Sequence, residues 1–231
     1  MELAASRLGN DPQFRAALAQ DPATPRVAAQ PAGGPIHFTA RPPFTGGFQS
    51  QAGQVTQATA LLRGRGHGSG FFISADGLLL TNAHVVQGQT RIRVELADGR
   101  VLTGEVLRSN AGRDVALVRV PIAGAVALPL DRTLPQVGDE AYASGAPLDA
   151  ALSGTITRGI VSAIRRDDDG TLWIQADVDV QPGNSGGPLL DGAGNVIGIT
   201  PSGRRPEGSS IGLNFFLPID QALTALDLHP R

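Results

Sequence analysis

The chain has 231 residues, long enough to bury a sizeable core as one large domain or two small ones. Its net charge of −2, from 19 basic against 21 acidic side chains, excludes the overall basic field that draws a protein onto nucleic acid or an anionic membrane surface. The absence of cysteine excludes a disulfide framework, a thiolate metal site and a Cys nucleophile, and leaves the redox compartment open.

In chain order, Met1–Arg7 lacks the basic start and apolar run of a signal peptide, and no stretch approaches the roughly 18 apolar residues of a membrane span. Asn10 or Asp11 reads as the cap of one short helix, with Pro12 in its first turn and Phe14 and Leu18 four apart before Asp21-Pro22. Ala23 to Gly53 is rich in Pro, Gly, Ala and Gln and reads as a linker or extended arm. Its Phe38, Phe44 and Phe48 fit two readings equally: exposed rings on a disordered arm, or rings docked on the body or on another subunit.

After Gly64 the pattern becomes short apolar runs punctuated by turn dipeptides. Phe71–Ser74, Leu78–Thr81, Ile92–Leu96, Val101–Leu107 and Val115–Val120 form a first series, with Asp98-Gly99 a strong hairpin signal. Ala141–Ser144, Gly159–Ile164, Leu172–Val180, Leu189-Leu190, Val196–Thr200 and Gly212–Leu217 form a second. Helical periodicity returns only over Pro218–Leu228, with Ile219, Leu223 and Leu226 on one face. Many short strands at this spacing predict an all-β sandwich or barrel, and the break near Leu130–Gly138 suggests two similar halves.

Within the second series lies Gln181-Pro182-Gly183-Asn184-Ser185-Gly186-Gly187-Pro188, where glycines and prolines hold one hydroxyl on a tight turn. A hydroxyl is a weak nucleophile until a base, a group orienting that base and donors for the oxyanion surround it. Of the four histidines, His37, His67, His84 and His229, only His84 has an informative setting, at the end of the strand Leu78–Thr81. Asp114, thirty residues on, sits at the mouth of an apolar strand, where it is either a turn residue or the partner of an imidazole N–H. His84, Asp114 and Ser185 thus follow one another in the order of a triad. Gly183–Gly187 also satisfies the G-x-S-x-G pattern of an α/β-hydrolase elbow. That reading needs a helix after the serine and Asp and His downstream, whereas Leu189–Gly192 reads as a hairpin and His229 stands alone near the end.

Five ordered motifs between Gly68 and Leu217 resemble the chymotrypsin-fold serine proteases, and among them the bacterial HtrA/Deg type. They are Gly68-Ser69-Gly70-Phe71-Phe72-Ile73 leading to Thr81-Asn82-Ala83-His84-Val85-Val86; Arg113-Asp114-Val115-Ala116-Leu117-Val118; Gly145-Ala146-Pro147 with Gly159–Ala163; Gly183–Pro188; and Gly212–Pro218. The resemblance implies an all-β protein of two six-stranded antiparallel barrels, about 54–133 and 134–217, closed by a helix over 218–228 and preceded by the arm, 1–53. It implies that His84 is the base, Asp114 its orienter and Ser185 the nucleophile, with the N–H groups of Gly183 and Ser185 as oxyanion hole. The implied activity is cofactor-free endopeptidase cleavage of extended or unfolded polypeptide. The alternative is a non-hydrolytic, chaperone-like peptide-binding module on the same fold.

Departures carry information too. Asn184 stands where digestive members have an Asp that pairs with a newly cleaved N-terminus, so control through loops such as Leu148–Gly154 is expected instead. HtrA proteins usually carry PDZ domains after the protease, while this sequence stops at Arg231: either the sequence is a truncation or regulation differs. Before the scissile bond, Asp179 would select basic side chains and Val180 small aliphatic ones; in a strand they face opposite ways, and the HtrA-type motifs favour Val180. Leu213 and Asn214 are expected on the edge that pairs with substrate backbone.

Asp167-Asp168-Asp169-Gly170 lacks the alternate spacing of a calcium loop and reads as a hairpin tip, so no metal is expected. By resemblance, a homotrimer assembled through the arm phenylalanines and a periplasmic or envelope location are expected, with the cytoplasm open because no signal peptide is read.

Overall fold

The structure is a computed structural model that describes residues 33–146, 155–167, 170–181, 183–201 and 214–231. The expected helix around Pro12 and the loop 148–154 lie outside those residues.

Strands β1 (Ile36–Phe38), β2 (Thr59–Arg63), β3 (His67–Phe72), β4 (Leu78–Thr81), β5 (Arg91–Glu95), β6 (Val101–Asn110) and β7 (Val115–Arg119) precede the interbarrel crossing. Helix α1 (Ala52–Ala58) lies before β2, and the short α2 (Ala83–Val86) follows β4. Then come β8 (Glu140–Ser144), β9 (Ile156–Arg166), β10 (Leu172–Ala176), β11 (Pro188–Leu190), β12 (Val196–Ile199), β13 (Asn214–Pro218), α3 (Ile219–Ala225) and β14 (Leu228–Pro230). The order β2-β3-β4-β7-β6-β5 closes one antiparallel barrel and β10-β13-β12-β11-β8-β9 closes the other.

Closure explains why the runs Leu78-Leu79-Leu80 and Val115-Ala116-Leu117-Val118 are apolar throughout rather than alternating. Leu79, Ala116 and Val118 fill the first barrel, whereas Leu78, Leu80, Val115 and Leu117 point out of it into the layer shared with the second. The second barrel has its own filling of Ala141, Ala143, Ile174, Leu189, Ile197 and Phe216. Asp98-Gly99 makes the expected hairpin: Glu95 pairs with Val101, Gly99 takes φ +84°, and the Asp98 carboxylate accepts from the Arg100 N–H.

Three expectations are corrected. The first concerns β3, which begins at His67 and not Phe71, because Gly68-Ser69-Gly70 pairs with β2 although it presents no apolar side chain to read. The second is the closing helix. It ends at Ala225, where Asp227 turns through φ +50° so that Leu228–Pro230 can pair in parallel with β1. The third is β10, which stops at Ala176: the Asp177 carboxylate replaces a ladder carbonyl by accepting the Ile160 N–H at 2.6 Å.

The arm resolves the two readings of its phenylalanines. Phe38, Phe44 and Phe48 are all buried in the layer between the barrels and α3, within their own chain. The Asn195 side chain holds the Phe44 backbone, and Phe48 stacks on Tyr142 of β8 with centroids 3.8 Å apart and planes 2° from parallel. α1 runs across the expected boundary at residue 53, so the arm from residue 36 onward is built into the body.

Burial under this stack, and secondarily the hydrogen bond to Glu140 at 3.1 Å, hold the Tyr142 phenol above its ordinary value of about 10. The folded state therefore binds the proton more tightly than the unfolded one. This contribution to stability is fully present below about pH 10 and is lost as pH rises through the folded value. Tyr142 is the chain's single tyrosine, so ultraviolet absorbance of tyrosinate reads it directly. Its midpoint is expected above 10 in the native chain and to fall toward 10 in Phe48→Ala; an unmoved midpoint would mean that the arm does not cover β8.

Candidate active site

The site lies where the two barrels meet. After β4, Asn82 adopts extended backbone ahead of α2, which places His84 in that helix rather than on a strand end. Asp114, just before β7, takes φ +52°, a conformation sparsely populated for a residue with a side chain. Asn82 fixes it there by donating from Nδ2 to the Asp114 carbonyl at 2.7 Å.

The consequence is a two-point grip on the imidazole. Asp114 Oδ1 accepts from the His84 backbone N–H at 3.0 Å, and His84 Nδ1 lies 3.0 and 2.8 Å from Oδ1 and Oδ2. A carboxylate only accepts, so the neutral ring carries its proton on Nδ1 and keeps Nε2 as the basic nitrogen. Neither side chain is deeply buried, at 38% and 29% exposed, so solvent shares the pair and substrate can reach the imidazole.

Ser185 stands on the turn between Gln181 and β11, and barrel-to-barrel contacts bring that turn against Ser69, Thr81 and Asn82, the latter two lying three and two residues before His84. The Ser185 carbonyl accepts from Ser69 N–H of β3 at 2.7 Å. Gly186, at φ +83°, packs so closely that a Cβ there would overlap the Ser69 carbonyl, with Thr81 Oγ1 at 2.6 Å and the Asn82 nitrogen at 3.0 Å. Any side chain at 186 would therefore push Ser185 away from the segment that carries His84. Gly183, at φ +106°, uses a backbone region open mainly to glycine, and its N–H has no acceptor among the described residues. The Asn184 N–H bonds Gln181, its carbonyl accepts from Gly187 N–H at 2.8 Å, and Gly186 and Gly187 exchange bonds with Thr200.

Three buried side-chain polar atoms have no partner among the described residues: Asn82 Oδ1, Asn184 Oδ1 and Thr200 Oγ1. All three sit in or beside this turn, where local structure serves chemistry before satisfaction.

Beyond β10 the burial still alternates: Val178 and Val180 are buried, Asp177 and Asp179 exposed. Asn214 opens β13 opposite Ala176 and donates to the Val178 carbonyl at 2.7 Å, while β12 reaches β13 only at Leu217 and Pro218. Leu213 lies outside the described residues. The sequence reading passed over Ser69, Thr81, Asn82 and Gly186 as parts of the site; only their places in the quoted motifs signalled them. No group of three or more His, Asp or Glu among the described residues is arranged to hold a metal ion, and Asp167 is engaged by the Thr171 N–H and the Trp173 indole.

Residues 68–199, more than half of the chain, match the family model of the trypsin-like peptidase domain. Over 167 residues the chain is 42% identical to "Probable periplasmic serine endoprotease DegP-like" of Halomonas elongata, covering 71% of this chain and 35% of that protein. It is 36% identical over 171 residues to "Protease Do-like 1, chloroplastic" of Arabidopsis thaliana, covering 68% and 37%. The chain thus spans little more than a third of the length of these curated relatives. Among solved structures, the HtrA-type protease AlgW with decapeptide superimposes with TM-score 0.68 and 30% identity over 78% of this chain and 66% of that one. The chain belongs to the trypsin-like peptidase domain family and within it is similar to the HtrA/DegP type.

Proposed function

We propose that the chain is a serine endopeptidase that cleaves extended polypeptide with Ser185 as nucleophile, His84 as base and Asp114 as orienter. The observation that carries the reading is the two-point hold of Asp114 on His84 beside a turn that packs against Asn82. In this mechanism His84 Nε2 takes the Ser185 hydroxyl proton as Oγ bonds to the scissile carbonyl carbon. The carbonyl oxygen becomes an oxyanion facing the N–H groups of Gly183 and Ser185. The imidazolium, steadied by Asp114, then gives its proton to the departing amine as the C–N bond breaks. Water, deprotonated by the same nitrogen, hydrolyses the acyl-enzyme and returns the proton to Ser185.

For side-chain preference, burial of Val180 against exposure of Asp179 supports a pocket that takes small aliphatic residues. Substrate backbone would extend the β13 edge at Asn214 and Leu213. Mapping of cleavage sites on a denatured protein mixture is expected to show small aliphatic residues before the cut; Arg or Lys there would put Asp179 in the pocket instead.

Reaction of wild type with a fluorophosphonate probe and with unfolded casein, beside Ser185→Ala, tests the activity itself. Labelling and cleavage that both vanish in the variant are expected, whereas peptide binding without either would favour the chaperone-like module. The word periplasmic in the name of the Halomonas relative supports a periplasmic or cell-envelope location for this reading, and no helix among the described residues is long and apolar enough to cross a membrane. A homotrimer would have to form through surface other than Phe38, Phe44 and Phe48, since those rings are buried within the chain.

A further inference from the structure

Ser69 belongs to the first barrel, is completely buried, and spends every polar group it has, mostly on the other barrel. Its N–H donates to the Ser185 carbonyl at 2.7 Å, and its hydroxyl donates to the Gly183 carbonyl at 2.6 Å. The same hydroxyl accepts from the Ala146 N–H at 2.8 Å, and its carbonyl accepts from Thr81 Oγ1 at 2.7 Å. Thr81 lies three residues before His84.

These bonds bracket the two oxyanion donors. The peptide joining Gly183 to Asn184 is held at both ends, its carbonyl by Ser69 Oγ and its N–H by the Gln181 carbonyl at 3.0 Å. The peptide joining Ser185 to Gly186 is likewise held, by the Ser69 N–H and the Thr200 carbonyl. Between them the Asn184 carbonyl accepts from Gly187. Glycine at 183 makes the turn possible, but the same freedom lets that peptide rotate, and only an external bond selects one orientation.

We propose that the Ser69 hydroxyl is a positioning group that locks the Gly183–Asn184 peptide, the rigid unit between the two donor N–H groups of Gly183 and Ser185, and so fixes the direction of both, while tying the segment at Ala146 to the same point. The proposal rests on the reading of Ser185 as nucleophile. Without the hydroxyl, the Gly183 carbonyl and the Ala146 N–H are buried and unpaired, and rotation of the Gly183–Asn184 peptide relieves that cost while turning the Gly183 and Ser185 N–H groups on either side of it out of line. Ground-state binding through the β13 edge is untouched, so the loss falls on turnover.

Ser69→Ala should lower kcat by about 10- to 100-fold with KM changed less than about threefold, less than the roughly 10²- to 10³-fold for loss of a direct oxyanion donor because the donor is displaced and not removed. A peptide aldehyde whose hemiacetal oxygen occupies the hole should weaken in parallel with kcat/KM. Ser69→Cys, which retains a weak donor, should fall between the two. If Ser69→Ala does not fold, Ser69→Cys carries the same comparison. Amide NMR is independent of turnover: the Gly183 and Ala146 N–H resonances should shift or broaden in the variant and the Ala146 N–H should lose exchange protection. A folded variant with unchanged kcat, or one whose KM rises while kcat holds, overturns the proposal. A wild type that neither labels nor cleaves sinks the peptidase reading instead; the amide measurements then decide whether Ser69 still locks the turn, and unchanged Gly183 and Ala146 signals would refute it.

Discussion

Ser185→Ala and His84→Ala are each expected to lower peptide-bond turnover by about 10⁴- to 10⁶-fold, and the double variant by no more than the worse single one, because the groups act as one unit. Asp114→Asn is the more informative change. Asp114 Oδ1 accepts the His84 backbone N–H while Oδ2 lies nearest Nδ1. An asparagine that keeps its oxygen on the backbone N–H must turn its NH2 toward the ring. The imidazole then moves its proton to Nε2, the nitrogen that has to accept from Ser185, and turnover should fall by about 10⁴-fold in a folded protein with intact peptide binding. Steady-state kinetics on a casein-derived peptide, with near-ultraviolet circular dichroism as the check on folding, reads all three. Retention of more than about a tenth of wild-type kcat in any of them would remove that residue from the assigned role.

Why the proposed trio stands out in the sequence while the residues packed around it do not has a physical basis. Ser185, His84 and Asp114 each announce chemistry by residue type, and each stands at a break in an otherwise apolar pattern. Barrel closure was legible as runs such as Leu78–Leu80, although their full burial also requires the second barrel on the outer face. Ser69 sits between two glycines in a strand that the apolar-run criterion started too late, so its four hydrogen bonds had no local signature. Gly186 reads as one more turn glycine until Ser69 and Asn82 are seen packed against it. The phenylalanines of the arm were equally ambiguous, because composition reports that a ring is available and not which surface it covers.

The largest stability effect outside the site is expected at Arg108. It lies in β6 of the first barrel, with its side chain 4% exposed, and its guanidinium gathers the ends of two distant segments. Nη1 donates to the Leu226 and Asp227 carbonyls at 2.5 and 3.1 Å, just past α3, and Nη2 reaches the Gly34 carbonyl ahead of β1. Asn110 on the same strand adds a bond to the Ala225 carbonyl at 3.1 Å. The planar fork thus satisfies the carbonyls of the turn that follows α3, Asn110 takes the last carbonyl of α3 itself, and together they fix β1 beside β14, which accounts for a helix that stops earlier than its apolar face suggests. The Asp227 carboxylate, 3.7 Å away and 40% exposed, contributes little beside those carbonyl contacts. Arg108→Ala leaves the buried Leu226 carbonyl, and the half-buried Asp227 carbonyl beside it, without this donor and removes the packing of the buried Arg108 stem; it should cost about 2–4 kcal/mol, a fall of roughly 5–15 °C in Tm for a domain of this size. Arg108→Lys should recover only part of this, since one ammonium cannot span both segments as the fork does. The contacts lie away from the turn of Ser185, so probe labelling of the folded variant at low temperature should match wild type, while limited proteolysis should cut first near residues 33–40. A Tm within a degree of wild type would show that the arm and the C-terminal strand hold the body without Arg108.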